Sequence, residues 1–478
     1  MGRVAMNRRR FLKSGSMALG VALLSACGAS PAPSGATQAP SKPAEATQPP
    51  AAPTPTSKTM VLWGLKYDPH IEKYNALAKA FNAKTGIEVT IQPQDWPLET
   101  KIAAAMSAGT HPDVCCIMGK VLPMLLIKDV VVDITDEVYK TVGTDPQKDW
   151  TGDGVPCYTY GGKIYGVPTE FSTISLGLAW PTTDMKYNKI TPDEAKNYPP
   201  LNGKDQFESY EQMWELAKKL QVEEGGKVLR YGLSSAGWEM SNISSMLAQL
   251  GRKWWDEENQ KFDFDNDDTV TALDLLVDKP VKMGIEKEQG DTQTNLAQAQ
   301  KVAIARGNTA LIFFLKDINL WYEGAVPPDP DPSKPHKWMG EGGWGFATFK
   351  KVKNPGPAID FLRWMATIEG QQTWMTHYVS NYMVPVPLKA ANDHPMWNET
   401  GDKYADVVRQ MYKRQMKYLD YQTFYGGTYG YIAQVESAVN ETCSLVRQQK
   451  MTSKEGAKRI QELATNQYEQ WKKDMQLA

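Results

Sequence analysis

Between Thr59 and Gln92 the chain reads strand, helix, strand, and this pattern constrains the fold more than any other feature. Thr59-Met60-Val61-Leu62-Trp63 is an apolar strand. From Ile71 to Lys84, the residues Ile71, Tyr74, Leu77, Ala78 and Phe81 recur on one helical face. Gly86 supplies the stop. Ile87, Val89 and Ile91 then alternate with Glu88, Thr90 and Gln92, the period of a half-buried strand. Strand, helix and strand at this spacing form a βαβ unit, which makes the two strands parallel. A second helix is predicted over 98–108, broken by Gly109-Thr110-His111-Pro112. Asp113–Met118 is a short apolar strand of the kind found where both faces of a sheet are covered. The fold class is therefore α/β and doubly wound. Ligands of such sheets bind beyond the carboxyl ends of the strands, which singles out Gly64–Asp68 and Met118–Lys120.

Further helices are predicted over 210–220, 269–277, 358–378, 403–418 and 453–473, with short apolar strands such as Thr309–Phe313 between them. The 420 residues from Thr59 onward exceed what one hydrophobic core usually supports, so two domains are expected. No fixed-period repeat and no second linker divides them, so the domains are expected to interlace.

The N-terminus has a different character. Arg8, Arg9 and Arg10 precede an apolar run, Met17–Leu24, too short to span a bilayer. This is the anatomy of a cleaved export signal. Arg8-Arg9-x-Phe11-Leu12-Lys13 resembles the twin-arginine consensus, an ordinary secretion signal being the alternative. Leu24-Ser25-Ala26-Cys27 resembles a lipobox, which makes residues 1–26 the signal and Cys27 a lipidated first residue. Residues 27–58 are rich in Pro, Ala and Thr and almost without large apolar side chains, so they read as a disordered stalk. Proline-rich chain extends by about 3.1 Å per residue, enough to hold a domain tens of ångströms from a membrane.

The formal charge is −2, and removing residues 1–26 takes away five basic residues and no acidic one. With no basic tract left, nucleic acid is excluded as a partner. Beyond Cys27 and the stalk there are four cysteines, Cys115, Cys116, Cys157 and Cys443, and none has zinc-site spacing. Buried thiols, or at most one disulfide, are expected. The fifteen Trp and twenty-one Tyr exceed what core packing needs, and each joins a flat apolar face to a hydrogen-bonding edge. H-E-x-x-H, G-x-S-x-G and Walker sequences are absent, and the five histidines show no paired spacing. A secreted enzyme acting on polysaccharide remains the rival class, because paired carboxylates alone decide nothing. A receptor for a metal or another non-sugar solute is a third reading.

Several stretches, in order, resemble the extracellular solute-binding proteins of family 1, the group that includes maltodextrin-binding protein. They are VLWGLKYDP with FNAKTGIEVTIQ, AAMSAGTHPDV with VVVDITD, GGKIYGVPTEF, GNTALIFF, GGWGFATF, NPGPAIDFLRWMATIEGQQ and the C-terminal SKEGAKRIQELATNQYEQW. The resemblance covers residues 59–478. It implies a two-lobed periplasmic-binding-protein-like fold of type II, with the ligand caught between lobes that close about hinge strands. Carried onto this chain, one lobe holds 59–170 plus 344–377, and the other 171–343 plus 378–478. It further implies an extracytoplasmic receptor without catalytic activity or cofactor. Its partners are a carbohydrate ligand, an ABC-transporter permease and, through Cys27, a membrane. A monomer is expected.

A sugar site needs aromatic platforms for ring faces and carboxylates or amides for hydroxyls. Trp63, Tyr67 and Asp68 offer both in the first loop, although Trp63 also suits a core and Asp68 a helix cap. Lys120 follows the third strand, where a solvated charge is the plainer role. Glu170 and Phe171 fall at the first hinge crossing implied by the resemblance, Phe171 serving equally well as hinge packing. Trp238, Glu239 and Asn242 lie in the polar, aperiodic SSAGWEMSN stretch, whereas Trp254-Trp255 reads as structural. Asp317 ends a strand that faces the cleft in relatives, Trp344 is flanked by glycines, and Asn381 and Tyr382 lie at another crossover. Tyr425 and Tyr429 belong to DYQTFYGGTYGYIAQ, whose aromatics around Gly426-Gly427 suggest a stacking wall. A tryptophan platform falls there in the maltodextrin-binding relative. Lys66, Lys120 and Lys316 leave an acidic or phosphorylated sugar open.

Overall fold

The computed structural model describes residues 58–95, 98–152, 154–181, 186–237, 239–287, 296–297, 299–308, 322–331, 333–334, 340–377, 384–400, 403–417 and 426–476. The βαβ unit forms as predicted. Strand Thr59–Leu65 pairs in parallel with Glu88–Gln94 and, on its other side, with Val114–Met118. The helix between the first two runs Asp68–Thr85, a turn earlier than apolar periodicity indicated, because Pro69 suits a first helical turn. Gly86 ends it at φ 72°, its N–H donating to the carbonyl of Asn82.

Val114–Met118 shows why the sheet is covered on both faces. Val114 and Cys116 join the cluster of Leu62, Tyr74, Phe81, Phe361 and Trp374, while Cys115 and Ile117 join that of Ile102, Leu122, Leu125 and Tyr158. Successive side chains point to opposite faces, and all five residues are buried. Strand Gly340–Thr348 runs antiparallel on the far side of Val114–Met118 and continues the sheet to Val167–Ala179.

The strand Val167–Ala179 changes partners midway. Its first half, to Thr173, pairs with Gly340–Phe346. From Ile174 onward it pairs instead with Val302–Asn308, and from Leu176 with Tyr322–Ala325. Val302–Asn308 then pairs in parallel with Lys227–Ser234, which carries the edge strand Val222–Glu224. One thirteen-residue strand thus belongs to two half-sheets.

The predicted helix over 210–220 is present as Tyr210–Leu220, and that over 453–473 as Ser453–Asp474. The 358–378 prediction divides into Pro355–Met365 and Ile368–Thr376. The second starts afresh because the Thr367 side chain accepts from the Gly370 N–H and caps it. The 234–242 stretch is not a loop throughout: helix Glu239–Gln249 begins inside it, with every residue buried. Thr309–Phe313 lies outside the described residues. Cys115, Cys116, Cys157 and Cys443 are all buried thiols, the first of the two alternatives.

Candidate functional site

The carboxyl ends of the three parallel strands bring Leu65, Gln94 and Met118 to one edge. Lys66 closes the first turn, donating its N–H to the carbonyl of Gln94 at 2.7 Å. Trp344 is the register partner of both Met118 and Glu170. It therefore stands beside the first loop, at the start of the crossover strand.

Tyr67 and Trp344 are joined through His70, in the first turn of the first helix. The His70 ring meets Tyr67 edge-on at 5.2 Å and Trp344 at 5.1 Å, with Tyr74 and Trp374 behind it at 5.9 and 5.5 Å. Edge-to-face contacts at these separations are the favourable arrangement for aromatic rings. His70 is itself buried. Sequence reasoning passed over it as an unpaired histidine, and its position on the apolar face with Tyr74 was the available signal.

Trp63 is half-buried and donates Nε1–H to Gln92 Oε1 at 2.7 Å, its cross-strand partner, so its polar edge is engaged within the sheet. Asp68 is the first residue of the helix that Tyr67 precedes, and the helix has no side-chain cap. Register sets Phe171 opposite Gly342, next to the Trp344–Glu170 pair. Lys120 sits in the short turn Gly119–Val121 directly after the third strand, and it is not a solvated charge. Its ammonium is 2.9 Å from a carboxylate oxygen of Glu436, on helix Ile432–Arg447.

Glu239 and Asn242 are buried and each has a charged partner. Glu239 Oε1 lies 3.2 Å from Arg447, and its other oxygen accepts from the Gly237 N–H at 2.9 Å. Arg447 Nε also reaches Glu286 at 3.2 Å, and Ser235 donates to the same carboxylate from its N–H at 3.0 Å. Burial raises the Glu286 carboxyl above its ordinary range, against the pull of Arg447. Asn242 Oδ1 accepts from Arg306 Nε at 2.9 Å, and Arg306 donates to Tyr210 Oη at 2.6 Å. Both side chains are spent in holding strand ends and helices of this half together.

Tyr429 also has a packing role that sequence did not separate from stacking on ligand. Its ring lies edge-on to Trp254 at 4.7 Å and Trp255 at 5.4 Å, and both tryptophans are buried, as their hairpin context indicated. Tyr431, in the same stretch, donates to Asp474 at the end of the last helix. Gly427 is needed for close approach, since a Cβ there would lie 3.0 Å from Tyr160 Cβ and 3.2 Å from Leu122. Trp238, Asp317, Asn381, Tyr382 and Tyr425 lie outside the described residues, as does Lys316. Among the described residues no group of three His, Cys, Asp or Glu is placed to hold a metal ion, and no helix is long and apolar enough to cross a membrane.

The topology, a mixed sheet whose halves share a crossover strand, is shared with solved two-lobed periplasmic binding proteins. One is a cyclo/maltodextrin-binding protein complexed with maltotetraose (15% identity, TM-score 0.65, covering 87% of this chain and 98% of that one). A second is the maltose/maltodextrin-binding domain from Bdellovibrio bacteriovorus bound to maltotriose (14% identity, TM-score 0.63, 86% and 100% covered). A third is an ABC substrate-binding protein from Listeria monocytogenes in complex with cycloalternan (15% identity, TM-score 0.65, 87% and 99% covered). A comparison with curated proteins finds no match. Residues 76–405 match the sequence profile of the bacterial extracellular solute-binding proteins, and the chain belongs to that family.

Proposed function

We propose that this chain is a lipid-anchored extracytoplasmic receptor that captures a carbohydrate between two closing lobes and delivers it to an ABC permease. Membership of the bacterial extracellular solute-binding family carries the reading. The ligand class draws support from similar folds solved with maltotetraose, maltotriose and cycloalternan. The half-buried rings of Tyr67 and Trp344, joined through the buried His70 at the carboxyl ends of parallel strands, supply flat faces where a sugar ring can stack.

The lobes are 59–170 plus 344–377 and 171–343 plus 378–478. The partner change of Val167–Ala179 between Thr173 and Ile174 supports a hinge there. Trp63, Asp68, Glu170 and Phe171 complete the first-lobe side of the site, and Trp238, Asp317, Asn381, Tyr382 and Tyr425 the other. Export through residues 1–26, lipid attachment at Cys27 and the stalk to residue 58 keep the receptor beside its permease, which raises the effective concentration of one for the other. The ligand leaves unchanged.

A thermal-shift screen of the protein against mono- and oligosaccharides, polyols, sugar acids and metals tests this. A ligand that binds only the folded state raises the melting temperature by an amount set by its concentration over Kd. The expected outcome is a shift with one sugar class and no consumption of that sugar. A metal-only response, or turnover, contradicts the reading.

A further inference from the structure

Strands Lys227–Ser234 and Val302–Asn308 run parallel, with Ser234 opposite Ala305. Three residues further on, Asn308 is opposite Ile174, where the crossover strand changes partners. The turn Ser235–Gly237 therefore leaves the carboxyl end of its strand about 10 Å, three residues of register, from the junction of the two half-sheets. Ser235 and Ala236 are buried, while Gly237 is exposed and sits at φ 100°, which favours glycine.

The polar atoms of this turn are fixed from the interior. Ser235 donates its N–H to Glu286 Oε1 at 3.0 Å, and its carbonyl accepts from Asn242 Nδ2 at 3.4 Å. Its hydroxyl lies 3.2 and 3.3 Å from the two oxygens of the Glu286 carboxylate. Gly237 donates its N–H to Glu239 Oε2 at 2.9 Å. Arg447 joins the two carboxylates, reaching Glu286 through Nε and Glu239 through Nη1, each at 3.2 Å, and donates from Nη2 to Ser235 Oγ at 3.4 Å. One guanidinium thus sets two carboxylates, and these hold the two ends of the turn.

Stability alone does not call for this arrangement. Two buried carboxylates share one cation, and burial disfavours the charge on Glu286. A neutral residue at 286 suits the fold better. A charge kept against stability at the edge of a sheet is what a site requires.

We propose that Glu286 and Arg447 are positioning residues for ligand binding, which act through Ser235 and Glu239 to hold the turn Ser235–Gly237 in the shape the ligand meets. The proposal rests on the receptor reading and deepens it by naming residues that shape its site without touching the ligand. Glutamine at 286 keeps one acceptor oxygen for Ser235 but loses the charge that holds Arg447, so the turn loosens while the fold is relieved of a buried anion.

The test titrates the full chain calorimetrically with maltotriose, mannobiose and the other mono- and oligosaccharides of the thermal-shift panel, and measures melting temperature in parallel. Wild type is compared with Glu286→Gln and with Ser235→Ala. Glu286→Gln is expected to melt at or above wild type and to bind its sugar about tenfold more weakly. Stability and affinity then move in opposite directions, which a merely structural contact does not produce. Ser235→Ala is expected to weaken binding by about threefold or more. A folded Glu286→Gln that binds as wild type does, or variants that lose stability and affinity together, overturn the proposal and leave the receptor reading standing. If Glu286→Gln does not fold, the proposed relief of a buried anion is wrong and the proposal falls. A wild type that responds to no sugar of the panel overturns the receptor reading, and this inference with it.

Discussion

Asp113 holds Asn354 by two hydrogen bonds, accepting from its backbone N–H at 2.9 Å and from its side-chain amide at 3.0 Å. The same carboxylate accepts from the Val61 N–H at 2.8 Å and is buried. It thereby pins the first strand, the third strand and the start of helix Pro355–Met365 at one point. Asp113→Ala leaves three part-buried donors without this acceptor, at a cost of about 1 kcal/mol each. A loss of at least about 2 kcal/mol is expected in denaturant unfolding, with little change in ligand affinity for the folded protein.

Arg447 is the counterpart of Asp113 in the other half. Its guanidinium faces both Glu239 and Glu286, and all three are buried. Removing one partner of a buried ion pair strands the other charge, which costs about 3–5 kcal/mol. Arg447→Met is expected to lower the unfolding free energy by about that amount. Adding Glu286→Gln to it is expected to recover part of the loss, because burial already disfavours that carboxylate. A double-mutant cycle checks both statements.

Gly119 is fixed by contact. With a Cβ 2.2 Å from Cys157 Sγ and 2.9 Å from the Cys157 carbonyl, Gly119→Ala forces backbone to move. Overpacking of this kind costs about 1–3 kcal/mol. Calorimetry is expected to show the loss, and Cys157→Ala in the same chain is expected to relieve the sulfur part of the clash.

Burial first, and then the hydrogen bond to Asp474, pushes the Tyr431 phenol up to about 12. An unfolded tyrosine ionises near 10, so between about pH 10 and 12 the folded state binds the extra proton. This contribution to stability is complete below pH 10 and is lost as pH rises through the folded value. The slope of melting temperature against pH over that range is expected to be shallower in Tyr431→Phe than in wild type.

The parallel strands were legible because alternation at Ile87–Gln92 and the apolar run at Asp113–Met118 report burial directly. Helix Glu239–Gln249 was not, and the reason is physical. All eleven residues are buried, so there is no solvent face to set a period, and Glu239 and Asn242 are paired with Arg447 and Arg306 far along the chain. The packing of Tyr429 was hidden for a related reason, since its contacts with Trp254 and Trp255 join residues separated by well over a hundred positions. The first loop was legible in outline, since strand order alone sends Tyr67 to the carboxyl edge of the parallel strands. The histidine that joins it to Trp344 shows itself only once the helix and the antiparallel strand are brought together.

Native mass spectrometry of the protein, offered an equimolar mixture of neutral oligosaccharides, sugar acids and sugar phosphates, tests the account most directly. The account predicts a one-to-one complex with a carbohydrate whose mass is unaltered after prolonged incubation. A protein that retains no carbohydrate from the mixture, or that converts one into product, would contradict it.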